Sequence, residues 1–178
     1  SPIVRALAVE SHYTIYTGGA EELGRWDRDQ SGKLKYTSLK KLLPPKVLDN
    51  ESFWRIWIDG SKVYFQTFRN IYVYDHQTMR QLTIPEGFLL LLKVRNEYWV
   101  QEMHGPLHQL KDGRLSKIEG SEFLNGTTTR VILPYGKDRY LIGTSTGEIY
   151  IYDKKNFIPW NNALSSQLHG QELNCGIY

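Results

Sequence analysis

Gly143-Thr144-Ser145-Thr146-Gly147 spells G-x-S-x-G, the pattern that places a nucleophilic serine on a sharp turn from strand into helix. That chemistry needs a helix after the serine. Here Ile149-Tyr150-Ile151-Tyr152 alternates as a strand, so Ser145 belongs in a hairpin turn and no nucleophile is expected. Asp27-Arg28-Asp29-Gln30-Ser31-Gly32 copies the start of a calcium loop, with oxygen ligands at alternate positions and glycine at the sixth. The loop also needs a bidentate glutamate at its twelfth position. Ser38 stands there, and Lys33 and Lys35 add positive charge, so a hairpin turn is expected. Asp75 and Asp153 hold the place of Asp27 in later units, which suits a turn-capping role. His104 and His108 have a helical ligand spacing, but Gly105-Pro106 between them forbids the helix. His12, His76 and His169 have no ligand-like spacing. No catalytic residue, metal site or cofactor is expected.

The aromatic residues offer a different chemistry, stacking against sugar rings. Most of them read as core. In Phe53-Trp54-Arg55-Ile56-Trp57-Ile58, alternation sends the two tryptophans to opposite faces of one strand. A binding surface is expected in the loops that lead into a first strand or join a second strand to a third. Trp54, Phe68, Arg69, Met103, His104 and Thr146 fall there and are the candidate ligand contacts.

The elements that would carry those loops are short strands. Residues 140–144 and 149–152 form a hairpin around Ser145-Thr146-Gly147, and a turn at Asp153-Lys154-Lys155-Asn156 leads into residues 157–160. Residues 130–133 in front complete a four-stranded meander. The same meander recurs. Aligning Trp26, Tyr74, Leu110 and Tyr152 gives spacings of 48, 36 and 42 residues, the period of four-stranded propeller blades. The predicted strands are residues 4–9, 13–17, 23–26 and 33–36, then 53–58, 63–67, 71–74 and 80–84. A third set follows at 88–94, 98–101, 107–110 and 115–118. Between the first two sets, Pro44-Pro45 enforces a loop. A polar stretch covers residues 161–170, and residues 172–178 read as the first strand of a fifth unit.

The expected fold is all-β, made of β-propeller blades in an incomplete ring, with units at residues 3–43, 53–84, 88–118, 129–160 and the start of another at 171–178. Runs such as Val131-Ile132-Leu133 and 88–92 are apolar on both faces and need cover from two sides, which a blade between blades receives. A β-sandwich is the alternative.

Composition narrows the function. A net charge of +3, with acids among the bases, argues against nucleic acid, and the basic run at residues 33–46 reads as a solvated face. The single cysteine, Cys175, excludes an intrachain disulfide. No signal peptide is expected within these residues, and the longest apolar run, 88–92, is too short to span a bilayer. A start at Ser1-Pro2 reads as a piece of a longer protein.

The segments VRALAVESHYTIYTGGAEELGRWDRDQSGKLKYTSL (residues 4–39) and YLIGTSTGEIYIYD (residues 140–153) resemble the regulator-propeller sensor domains of Bacteroidetes-type two-component proteins. Phe68-Arg69-Asn70 departs from the pattern by replacing its glycine-containing turn. The resemblance implies a periplasmic, ligand-sensing propeller fragment that binds, with a carbohydrate among the expected ligands, and does not catalyse. In that family a transmembrane helix and a histidine kinase or DNA-binding part lie elsewhere. An interaction scaffold without a small ligand is the alternative, and an enzyme built on propeller loops a more distant one. Bare apolar faces on the end blades predict self-association into a homodimer or closure into a small distorted ring.

Overall fold

The computed structural model describes residues 3–44, 51–89, 91–174 and 176. Their strands form four sheets, each of four antiparallel strands in sequence order. The first is β1 (Val4–Val9), β2 (Thr14–Gly19), β3 (Leu23–Arg28) and β4 (Leu34–Ser38); the second is β5 (Arg55–Asp59), β6 (Lys62–Gln66), β7 (Asn70–Tyr74) and β8 (Met79–Thr83). The third is β9 (Leu92–Val94), β10 (Glu97–Gln101), β11 (Leu107–Lys111) and β12 (Arg114–Lys117). The fourth is β13 (Thr129–Tyr135), β14 (Arg139–Thr144), β15 (Ile149–Tyr152) and β16 (Phe157–Pro159), followed by a short helix, α1 (Ala163–Leu168). The chain divides into two compact units, Ser1–Leu90 and Leu91–Tyr178, with two sheets in each.

Period-two alternation decides which residues meet. In the first unit Ala6, Tyr16 and Leu23 share one face of the first sheet, and Ile56, Phe65 and Tyr72 are direct cross-strand neighbours on the second. These two faces close on each other with Phe53 and Val63 in one core. Tyr16 is fully buried and meets Phe65 edge-on at 5.9 Å, the offset that aromatic quadrupoles favour. The second unit repeats the scheme. Trp99 and Leu107 of the third sheet pack on Ile132, Tyr140, Ile142 and Tyr152 of the fourth. The Glu97 carboxylate ties this seam, accepting from Tyr140 Oη at 2.7 Å and from Trp99 Nε1 at 3.0 Å.

All four sheets share one junction. At the end of the second strand a backbone N–H bonds to a carbonyl at the start of the third: Gly19 to Glu22, Thr67 to Asn70, Glu102 to Pro106 and Thr144 to Glu148. The residue just before that N–H is therefore Gly18, Gln66, Gln101 or Gly143.

Some elements differ from the sequence reading. The first strand of the second sheet begins at Arg55, because Phe53 leaves the ladder to pack over Gly18, and a Cβ there would lie 2.8 Å from that of Phe53. Trp54 thus precedes the strand, and the opposite-face assignment of two tryptophans on one strand does not hold. The first strand of the third sheet shrinks to Leu92–Val94, with Phe88 buried outside it. Asp27 caps no turn: it lies within β3, paired with Arg25 Nε at 2.8 Å and accepting from Thr14 Oγ1. Asp29 takes that role, accepting from the backbone N–H groups of Ser31 and Lys33, so the calcium-like segment is a hairpin turn. Asp75 and Asp153 make the same turn with Gln77 and Thr78 and with Lys155 and Asn156. Residues 171–174 are not a strand. Cys175, Ile177 and Tyr178 of the expected fifth unit, like Pro45 and Asn50 of the first loop, lie outside the described residues.

Candidate functional site

In the first unit the structure brings Trp54 and Phe68 together. Their ring centroids are 5.3 Å apart, and the Arg5 guanidinium lies 4.5 Å over the indole. Trp54 is 36% exposed and Phe68 42%, so the pair faces solvent, but Arg5 already occupies one face of the platform. Arg69 is exposed beside Phe68, and its backbone N–H donates to Thr67 Oγ1. That hydroxyl also accepts from Asn70 N–H, which lets the 67–70 turn form without the expected glycine.

In the second unit Met103 is half-buried and His104 exposed in the β10–β11 turn, where His104 takes a φ of +59°. Thr146 is exposed in the β14–β15 turn, its hydroxyl within 2.9 Å of Thr144 Oγ1. No hydrogen bond or ring contact among the described residues joins Thr146 to Met103 or His104. Ser145 Oγ accepts from Thr128 N–H at 3.2 Å and lies 3.3 Å from Thr127 Oγ1, with no histidine partner. The serine is a turn residue. Among the described residues no group of three or more His, Cys, Asp or Glu could hold a metal ion.

A cleft that the sequence reading missed lies in the second unit. After β16 the Trp160 backbone N–H donates to Ile149 O, which places the indole on the Ile149 face of the sheet, next to Tyr135. Asn162 then starts α1: its side chain accepts from Ser165 N–H at 3.0 Å, and Ser165 Oγ accepts from Asn162 N–H at 2.8 Å. The helix returns the chain to the β14–β15 turn, where Gly170 N–H bonds to Thr146 O. Only a glycine fits at 147, since a Cβ would collide with the Leu168 carbonyl. Between helix and sheet opens a cleft of about 520 Å³, lined by Glu148, Tyr150, Trp160, Asn161, Ser165 and His169 among others. Tyr150 Oη donates to Glu148 Oε2 at 3.3 Å, and burial, then the Glu148 charge, pushes the phenol above its usual range. Among the described residues its lining holds no lysine or arginine. The signals available were Asn162-Ala163-Leu164-Ser165, a capping box closed by serine, and the i, i+4 spacing of Leu164 and Leu168. A second cleft, about 310 Å³ and mostly apolar, opens on the first sheet between Val4, Trp26 and Tyr36.

Four-stranded antiparallel meanders, paired face to face within each unit and sharing one junction, repeat along the chain. These are β-propeller blades. The extracellular domain of a hybrid two-component system from B. thetaiotaomicron has the same fold, with a TM-score of 0.62 and 19% identity over 98% of this chain and 24% of that one. PorZ, a surface component of the type-IX secretion system of Porphyromonas gingivalis, gives 0.63 and 14% over 90% of this chain and 23% of its own. Virginiamycin B lyase from Staphylococcus aureus gives 0.58 and 12% over 90% and 56%. The chain thus spans about a quarter of the length of the first two. At these identities the likeness is one of fold, and it extends to an enzyme as well as to an extracellular signalling domain. No family model and no curated protein matches the sequence. No helix among the described residues is long and apolar enough to cross a membrane.

Proposed function

We propose that this chain is the ligand-sensing part of an extracytoplasmic β-propeller in a two-component signalling protein, placed in the periplasm and binding its ligand without transforming it. The observation that carries the reading is the propeller fold shared along 98% of the chain with the extracellular domain of such a system. A saccharide is the ligand class we favour. Signalling follows when ligand binds one packing of blades or protomers more tightly than another, since only such a difference shifts an equilibrium. Kinase or DNA-binding output belongs to other segments of the protein. Calorimetry against a panel of polysaccharide fragments tests the reading. Heat with at least one fragment is the expected result, and silence with every small ligand overturns it.

One observation favours a second reading, a scaffold that recognises protein. Leu7 and Val9, 60% and 61% exposed, stand side by side on the outer face of the first sheet. A homodimer through that face would appear in light scattering and dissociate in a Leu7→Lys, Val9→Lys variant.

A further inference from the structure

We propose that the cleft between α1 and the outer strands of the fourth sheet is a binding site for a neutral saccharide, with the Trp160 indole as its stacking surface. The inference rests on the ligand-sensing reading and locates it. Its volume of about 520 Å³ falls within the roughly 300–1,000 Å³ typical of small-ligand sites. Its lining mixes two kinds of surface. Trp160 and Pro159 give apolar surface that suits the C–H face of a pyranose ring, while the Tyr150 ring packs on Phe123 at 4.7 Å. Glu148, Asn161, Ser165 and His169 give donors and acceptors at the rim that suit its hydroxyls.

The polar groups are free to do this. Among the described residues the Asn161 amide, the His169 ring and the Trp160 indole N–H make no hydrogen bond within the chain. Ser165 Oγ is already committed to Asn162, which fixes its direction and leaves lone-pair capacity for one more donor. The charge pattern selects the ligand. With no lysine or arginine in the lining and the Glu148 carboxylate present, a phosphate, sulfate or uronate is repelled. That carboxylate already accepts from Tyr150 Oη and Thr146 Oγ1, so it presents an oriented acceptor rather than a bare charge. Several scattered donors and acceptors around one indole match a polyol better than a small cation.

The platform differs from the Trp54–Phe68 pair in one decisive respect. Arg5 caps Trp54, whereas among the described residues Trp160 has one ring neighbour, Tyr135, steeply inclined to it at 6.2 Å and 70°, and it lines open space.

The test is titration of the chain with neutral di- and trisaccharides, uronate oligosaccharides and a trimethylammonium compound, read by calorimetry and tryptophan fluorescence. The expected result is heat and a fluorescence change with a neutral saccharide alone. Trp160→Ala should weaken that binding by about tenfold or more, and Trp160→Phe should restore part of it. Asn161→Ala, at an exposed position, should weaken it severalfold without changing the thermal midpoint. Saccharide binding that survives both alanine variants, or that disappears in Trp54→Ala instead, overturns this site and leaves the sensing reading standing. Preference for the uronates or the ammonium overturns the ligand class. Binding of no small molecule on a wider panel overturns both.

Discussion

The residue just before the junction N–H is glycine in the first and fourth sheets and glutamine in the second and third, and the two choices close the same junction by opposite physics. At Gly18 and Gly143 the missing side chain is replaced by an apolar group from elsewhere in the chain. Phe53 fills the first, and Leu173 with Val131 the second, where a Cβ would come within 2.8 Å of Val131 Cγ1. At Gln66 and Gln101 an amide reaches the backbone instead. Gln66 Nε2 donates to Leu89 O, while Gln101 Oε1 accepts from Thr129 N–H at 2.7 Å and its Nε2 donates to Thr127 O at 2.9 Å. The plug gains from apolar contact and tolerates imprecise geometry. The amide satisfies backbone groups that lie out of reach of water, and loses most when removed. Both devices do one job, holding a segment from elsewhere in the chain against the end of the second strand.

The largest expected effect follows from the amide. Gln101 is 2% exposed, and a leucine of similar volume there leaves the Thr129 N–H and the Thr127 and Gly105 carbonyls without their partner. Gln101→Leu should cost about 3 kcal/mol, since each orphaned buried group costs about 1–3 kcal/mol. Urea unfolding at neutral pH measures it. A loss under about 1 kcal/mol would show that the amide is dispensable and that contact alone holds the junction.

A smaller effect separates the two plugs. At Gly18 the obstructing atom is the Phe53 Cβ, fixed to the backbone, so Gly18→Ala should cost about 1–3 kcal/mol by overpacking. At Gly143 one obstructing atom is the mobile end of Leu173, so Gly143→Ala should cost less, and Leu173→Ala should relieve part of that cost in the double variant. Equal penalties at the two glycines, with no coupling to Leu173, would sink the plug account of the fourth sheet.

The glycine–glutamine exchange marks where the sequence stopped being legible. Alternating β-branched and aromatic residues between turn residues made the sheets readable, because a strand's period of two and its hairpin chemistry are local properties. Which residue plugs Gly143 depends on Leu173, 30 positions away, and no local pattern announces it. The same holds for the cleft. Thr146 was picked from the β14–β15 turn, and the turn does form one wall, through Gly147 and Glu148. Trp160, however, reads as the end of a strand. It lines the cleft only because α1 folds back, and a six-residue helix with two leucines leaves little periodicity to find. Asp27 was placed two positions early for a related reason. In the first sheet the β3–β4 hairpin runs two residues past the point set by aligning on Trp26, so the capping carboxylate is Asp29.

The smallest effect concerns those hairpin carboxylates, which the glycine and glutamine sheets share. Asp153 is held below the usual carboxylate range by the N–H groups of Asn156 and then Lys155, and Asp75 by Thr78 and then Gln77. Asp29 is lowered by the Ser31 hydroxyl and the Lys33 N–H. A folded-state pKa below the unfolded value means that the contribution is complete above the unfolded value, about 3.9, and disappears as pH falls through the lowered one. An asparagine oxygen can accept the same bonds without titrating. Asp75→Asn and Asp153→Asn should therefore leave neutral-pH stability nearly unchanged and flatten its decline on acidification, each by a similar amount. The third sheet closes its β11–β12 hairpin with Asp112 and Gly113 at φ of +50° and +72°, a backbone solution in which glycine supplies the turn. Acid unfolding curves of the two variants test whether the turns act independently of the junction. A clear difference between Asp75→Asn, in a glutamine sheet, and Asp153→Asn, in a glycine sheet, would show that turn and junction are coupled along each blade.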